Sequence, residues 1–256
     1  MNRDGISTTF FFISEILFWY TMLGTIVNAL AIFGGSLLGL LFSKGISKNY
    51  EEIILSGVGL SVTLIGIKSA LVSDSLMIVI FSVIIGAIIG EWLKIESKLE
   101  SLGDFLESKV AAKSNDNRSF ARGFVTASLV FCVGSMAIIG SLESGLTGNH
   151  QTLFAKSVLD GVTSVIFASA MGLGVMFSGL AVFLYQGLIT ITATFMKDLL
   201  VPETIEQMTS VGGLLIMAIG FNMLKITTIR VGNLIPAIFL PLLYFAFSRW
   251  FGFTAG

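Results

Sequence analysis

The chain has 256 residues, 54% of them hydrophobic and only 12% charged, with a net charge of −1. Soluble domains carry about 25% charged residues, and a soluble domain of this size could not bury so much apolar surface in one core. The composition therefore predicts a polytopic membrane protein. The net charge gives no reason to expect nucleic acid as a partner.

The same composition excludes several classes of enzyme. The chain contains one cysteine, Cys132, and one histidine, His150, too few for zinc, haem or iron–sulfur ligation. No G-x-x-x-x-G-K-[ST] phosphate-binding loop is present. No nucleophile–base arrangement stands out either, so we expect a protein that is not an enzyme and holds no cofactor.

Apolar stretches long enough to cross a bilayer, about 20 residues each, follow one another along most of the chain. The stretch from Val158 to Met196 is too long for one crossing, and we expect a turn between Gly172 and Gly179. The predicted fold is an all-α transmembrane helix bundle of about eight spans. These spans are 23–43, 53–72, 76–93, 121–142, 157–176, 178–196, 209–224 and 231–248.

The N-terminal stretch 6–20 is apolar but short, and Glu15 interrupts it. It is a poor signal peptide, because the leader has no net positive charge and no A-x-A-like cleavage site follows. A short extra helix, an interfacial segment and an upstream extension all fit the pattern. We expect residues 1–21 to be a dispensable extension before a natural start at Met22, and residues 22–256 to form one membrane domain.

Basic residues predict the orientation, because cytoplasmic loops are enriched in Lys and Arg. One side of the eight-span arrangement collects ten basic residues and the other side five. The first side, predicted to be cytoplasmic, includes the segment 94–119. Its apolar residues recur at helical spacing, as in an amphipathic connector on the membrane surface; they are Ile95, Leu99, Leu102, Leu106 and Val110. A solvated connector and a docking surface both fit this pattern.

Two glycine-bearing segments, 56–68 and 210–222, match at one fixed offset of 154 residues. Ser56, Gly59 and Gly66 correspond to Ser210, Gly213 and Gly220. If the match reflects a repeat, spans 1–3 correspond to spans 6–8 in opposite orientation, as in many secondary transporters. Duplication of a helical hairpin without any link to transport explains the match equally well.

Polar residues within or beside spans are the candidates for binding a solute or an ion. Lys156 and Asp160 are four residues apart, so on a helix they share a face and can pair. An ordinary outer loop with a helix-end ion pair, and hydrogen bonds between helices, are the alternatives. We expect His150 to be solvated, Cys132 to pack as a small hydrophobe, and Asp160 to lie towards a span end. The candidates are Asn28, Ser135, Ser141, Glu143, Thr147, Lys156, Asp160, Gln186 and Asn222.

The small residues also suggest how the helices associate. Pairs such as Gly35/Gly39 and Gly86/Gly90 have the small-x-x-x-small spacing that lets helices approach closely. Exposed faces of this kind would also allow a homodimer.

Three motifs carry a resemblance to a known family: GSLESGLTGN (140–149), AKSVLDG (155–161) and SVGGLLIMAIG (210–220). With them the chain resembles the YqgA/YdfK-like family of bacterial inner-membrane proteins, a domain of unknown function, from Met22 to about Phe247. The resemblance implies a multi-pass protein of the bacterial plasma membrane. It also marks six positions without giving them roles: Glu143, Gly145, Thr147, Gly148, Lys156 and Asp160.

The leading functional hypothesis is a secondary transporter or channel-like permease for an unidentified small solute or ion. Polar residues within spans, the inverted-repeat pattern and the lack of a large soluble domain motivate it. The alternative is a non-transport membrane scaffold, partner subunit or sensor that contacts its partner through the 94–119 segment.

Overall fold

The computed structural model describes residues 19–43, 48–99, 101, 105 and 120–251, and every regular element in these ranges is helical. Residues 1–18 of the expected extension lie outside them, as do Leu102, Leu106 and Val110 of the connector. The elements are α1 (Leu23–Ser43), α2 (Lys48–Ala70), α3 (Leu76–Leu93), α4 (Phe120–Cys132), α5 (Ser135–Thr147), α6 (Gln151–Met171), α7 (Gly174–Ile191), α8 (Ala193–Met196), α9 (Pro202–Met223), a 3-10 segment (Val231–Phe239) and α10 (Leu240–Phe251).

The number of spans agrees with the sequence prediction. Within the described residues, seven helical segments are long and apolar enough to cross a membrane, or eight if α4 and α5 together form one broken span. The turn expected between Gly172 and Gly179 lies at Gly172, where α6 has ended and α7 begins two residues later. The all-α polytopic bundle is therefore confirmed.

The helices pack in pairs that are distant in sequence. Helix α1 lies along α6, α2 crosses α9, α3 packs on the 3-10 segment, and both α4 and α5 contact α7. Helix α9 is the most enclosed span, with 78% of its apolar window buried, against 22% for α3. Exposed aromatic and aliphatic side chains such as Trp92 and Phe81 of α3 are expected where a helix faces lipid.

Glycine allows the closest of these contacts. A Cβ atom at Gly35 would overlap the carbonyl oxygen of Gly161, and one at Gly39 would overlap that of Val165. The small-x-x-x-small pair of α1 thus lies directly against the backbone of α6. Inside lipid there is no hydrophobic driving force between helices, and close van der Waals packing of this kind holds them together instead.

The predicted single span 121–142 is wrong in form. The helix breaks between Cys132 and Ser135, and the two parts are bent by 62° relative to one another. Gly134 occupies the break with φ 126°, a backbone conformation that side chains disfavour. Apart from Arg122 near its start, the stretch carries no charge, so hydropathy alone gives no sign of the break.

The last span is also irregular. It begins as the 3-10 segment, which contains Pro236, and continues as α10 after Phe239. Proline removes a backbone donor and crowds the preceding turn. The proline therefore coincides with a change of helix type within the span.

We predict that Gly35→Ala destabilises the protein, whereas Gly34→Ala does not. A methyl group at Gly35 must displace α6, and overpacking of this kind costs about 1–3 kcal/mol. At Gly34 nothing lies within 4 Å of the added atom. Thermal unfolding in lipid nanodiscs should show a lower midpoint for the first variant only. Equal midpoints would contradict the close α1–α6 contact.

Candidate functional site

Four of the predicted site residues meet inside the bundle. Asn28 of α1, Lys156 and Asp160 of α6, and Gln186 of α7 form what we call the polar cluster. Asn28 and Gln186 have no exposed surface, and Lys156 and Asp160 are 7% and 6% exposed. Three spans therefore contribute charged or amide groups to one buried position.

Asp160 is the centre of the cluster. Its Oδ2 lies 2.8 Å from Lys156 Nζ, and its Oδ1 accepts a hydrogen bond from the same ammonium at 3.0 Å. Asn28 Nδ2 donates to Asp160 Oδ2 at 3.1 Å, and to Gln186 Oε1 at 3.4 Å. The carboxylate thus has one cationic partner and one neutral partner on a different helix.

Two polar atoms of the cluster are unsatisfied. Asn28 Oδ1 and Gln186 Nε2 are enclosed and have no hydrogen-bond partner in the described part of the chain. A buried polar atom without a partner costs about 1–3 kcal/mol. An acceptor and a donor are therefore available beside a buried ion pair, and a polar ligand could use both.

The local sequence explains why these groups meet. Lys156 and Asp160 are one helical turn apart, and the glycine that follows, Gly161, lets α1 approach near Ala31.

The expectation that Asp160 lies near a span end is wrong. Helix α6 begins at Gln151, before the predicted start of the span, so Asp160 lies near the middle of the helix.

The candidates on α5 lie apart from the cluster in their hydrogen bonding. Ser141 donates its hydroxyl to the carbonyl oxygen of Ala137 at 2.7 Å. Glu143 Oε2 accepts a hydrogen bond from Thr152 at 2.7 Å, which ties α5 to the start of α6. Thr147 is exposed and donates to the carbonyl oxygen of Glu143 at 2.8 Å.

Ser135 begins α5, and its side chain lies outside the described residues. Asn222 is placed elsewhere, near the end of α9. Its Nδ2 donates to the carbonyl oxygen of Ile229 at 2.7 Å, and its Oδ1 accepts from Thr227 and from the Ile229 amide. Asn222 therefore holds the loop that follows α9.

His150 is buried, contrary to the expectation of a solvated side chain. Its Nδ1 lies 2.6 Å from the hydroxyl of Ser144, which also donates to the carbonyl oxygen of Thr21. The ring of Tyr20 packs against it edge-on, with centroids 5.2 Å apart. Burial lowers the pKa of His150, which lies between α5 and α6 outside the spans. Its polar neighbours in sequence gave no sign of this enclosure.

Sequence reasoning also missed two cavities beside the broken span. The larger, of about 470 Å³, has Asn222 and the basic side chains of Arg122, Lys225 and Arg230 in its wall. The smaller, of about 240 Å³, has an almost entirely apolar wall that includes Cys132 and Gly134. We call them the basic cavity and the apolar cavity. No sequence pattern marks cavities whose walls come from residues so far apart in the chain.

Chemically, the polar cluster can replace part of the hydration shell of a small polar solute or ion. Asp160 and Lys156 provide one negative and one positive group, and the amides of Asn28 and Gln186 provide a free acceptor and a free donor.

Comparison with known proteins gives a family but no activity. A family model described as "Protein of unknown function (DUF554)" matches residues 23–246. The chain is 34% identical over 224 residues to the uncharacterized membrane protein YdfK of Bacillus subtilis (strain 168), covering 86% of this chain and 94% of the relative. It is 28% identical over 233 residues to the uncharacterized protein YqgA of Escherichia coli (strain K12), covering 90% and 99%. No solved structure matches.

We predict that Asp160→Asn lowers the free energy of unfolding by about 3–5 kcal/mol, the cost of leaving one member of a buried ion pair alone. The unpaired group is the ammonium of Lys156. Asp74→Asn is the matched control, because Asp74 is exposed in the loop between α2 and α3. Reversible unfolding in mixed micelles provides the measurement, and equal losses for both variants would contradict the buried pair.

We predict that stability declines below about pH 6.5 because of His150, the one histidine of the chain. Because the pKa of His150 is lower in the folded protein than in the unfolded chain, the unfolded chain binds the proton more readily. The contribution of His150 is therefore complete above the unfolded pKa of about 6.5 and is lost as the pH falls. His150→Gln should reduce the difference between thermal midpoints at neutral and mildly acidic pH. An unchanged difference would show that His150 does not titrate in this way.

Proposed function

The chain belongs to the family of proteins of unknown function DUF554, and we propose that it is a secondary transporter or channel-like permease for a small solute or ion. The observation that carries the proposal is the polar cluster. Ionisable residues within membrane spans are rare, and they mark substrate, ion and proton pathways in many membrane proteins.

The energetics support a functional reason for the cluster. A charged side chain at the centre of a membrane helix costs about 2.5–3.5 kcal/mol on insertion scales. Pairing of Lys156 with Asp160 offsets part of this cost, yet an apolar pair would avoid it altogether. Stability alone therefore does not explain why both charges and two incompletely bonded amides lie in one place.

The broken span supports the same proposal. Transporters commonly place their binding sites beside discontinuous helices, whose freed backbone groups face a cavity rather than lipid. Here Gly134, at the break between α4 and α5, lies in the wall of the apolar cavity. Both helices contact α7, which carries Gln186 of the polar cluster.

We further propose that spans 1–3 and 6–8 are inverted repeats, and the packing of α2 on α9 supports this. Gly66 lies against the backbone of Met217, and Gly220 against that of Thr63. At the offset of 154 residues, Gly66 corresponds to Gly220 and Thr63 to Met217. The two contacts therefore exchange under the repeat, as expected for helices related by an in-plane two-fold axis.

The basic residues support an orientation with the basic cavity towards the cytoplasm of a bacterial cell. Arg122, Lys225 and Arg230 all belong to the side that carries the excess of Lys and Arg.

We also propose that the protein has no enzymatic role. A serine hydroxyl in contact with a histidine can act as a nucleophile. The Ser144 hydroxyl beside His150 is completely enclosed, however, so a substrate could not reach it.

The proposal is tested in proteoliposomes loaded with a pH-sensitive dye and exposed to a small-molecule extract of bacterial cells. Wild-type protein should admit protons or concentrate at least one compound, detected by mass spectrometry. Gln186→Leu should reduce the flux by about tenfold or more, because it removes one of two free polar groups while preserving the side-chain volume. Among the described residues, Gln186 Oε1 accepts one long hydrogen bond, from Asn28, so we expect this variant to fold.

Gln207→Leu is the matched control. Gln207 is also buried, on α9, and its Oε1 likewise has no partner among the described residues, but it bonds to none of the four cluster side chains. Equal losses of flux in both variants would exclude a specific role for the cluster. Vesicles containing wild-type protein that remain as tight as empty vesicles would favour the non-transport scaffold or sensor.

A further inference from the structure

The basic cavity has a positive wall. Arg122, Lys225 and Arg230 line it, together with one carboxylate, that of Glu96. Glu96 Oε2 is already engaged, because it accepts a hydrogen bond from the backbone N–H of Gly232. Glu96 and the Glu91 carboxylate that pairs with Arg230 offset two of the three positive charges, so the wall keeps a net positive charge, which attracts an anion.

Lys225 is the cation of this wall that is free to meet a ligand. It follows α9 in the left-handed conformation, with φ 60°, and is exposed. It forms no ion pair with any residue that the structure describes. Arg230 differs, because its guanidinium lies 3.0 Å from Glu91 Oε1.

The apolar cavity lies next to the basic cavity. Leu99 and Val125 are in the wall of both. Beyond them the wall consists largely of hydrocarbon and aromatic groups, among them Phe124, Leu129, Ile138, Ile235 and Phe239. The apolar cavity extends past Gly134 to Tyr185, which lies within α7. A charged cavity and an apolar cavity thus lie side by side.

From this juxtaposition we infer that the protein binds an anionic amphiphile, with its anionic group in the basic cavity and its hydrocarbon chain in the apolar cavity. Basic pockets between membrane helices recognise lipid phosphates by their charge. The apolar cavity adds affinity by burying methylene groups. The ligand is an anionic lipid or a single-chain phosphate or carboxylate, and its binding does not depend on the proposed transport.

The test uses purified protein in phosphatidylcholine nanodiscs and three probes: dodecyl phosphate, dodecylphosphocholine and inorganic phosphate. The first two have the same chain, but only the first has a net negative head group. Native mass spectrometry and equilibrium dialysis measure binding. We expect dodecyl phosphate to bind at least about tenfold more tightly than either other probe. Only this probe has both a negative head group for the basic cavity and a hydrocarbon chain for the apolar cavity.

Two variants separate the contributions of charge and chain. Lys225→Gln should weaken dodecyl phosphate binding about fivefold, the contribution of one basic residue near an anionic head group. Lys94→Gln is the matched control, because Lys94 is also exposed, has φ 51°, and is not in the wall of the basic cavity. Ala181→Leu adds bulk to the wall of the apolar cavity and should weaken dodecyl phosphate binding without affecting inorganic phosphate.

Each other outcome overturns the inference. Equal binding of the two dodecyl probes would show that the negative charge is not recognised. Inorganic phosphate binding as tightly as dodecyl phosphate would show a site for a free anion without a chain. Equal effects of the Lys225 and Lys94 substitutions would assign the attraction to the general charge of this face. Normal dodecyl phosphate binding by the Ala181 variant would exclude the apolar cavity.

Discussion

The structure depends on one constraint: a carboxylate in the middle of a membrane helix must have partners within the protein. Asp160 obtains them from Lys156 on its own helix and from Asn28 on α1. The second partner requires α1 to approach α6 closely, and Gly35 and Gly39 allow this. The polar cluster therefore depends on the close packing of α1 on α6, because the glycines set the distance at which the Asn28 amide reaches the Asp160 carboxylate.

The two parts of the broken span, α4 and α5, both contact α7. The break at Gly134 turns α5 away from the direction of α4, and the apolar cavity lies beside the bend. Gln186 is one residue beyond Tyr185, which is in the wall of that cavity. The polar cluster and the apolar cavity therefore share α7 as a common element.

The sequence predicted the properties that depend on local pattern. Hydropathy predicted the helical bundle and its span count, and the spacing of Lys156 and Asp160 predicted their shared face. The sequence does not predict the contact of Asn28 with Gln186, which is 158 residues away, because the residues around each position give no sign of the other position. The exposure that its polar neighbours predict for His150 is wrong, because Tyr20 packs against the ring. Asn222 was grouped with the site by polarity, but it holds a loop at the end of its helix.

We propose that the polar cluster serves the passage of a solute or ion at a cost in stability. The most direct measurement compares unfolding and proteoliposome flux for the double variant Lys156→Met/Asp160→Asn, which removes both charges and retains an acceptor for Asn28. Because removal of a whole buried ion pair is often neutral or stabilising, the account predicts a thermal midpoint equal to or above that of the wild type, together with lost flux. A large loss of stability, or flux that continues unchanged, would contradict it.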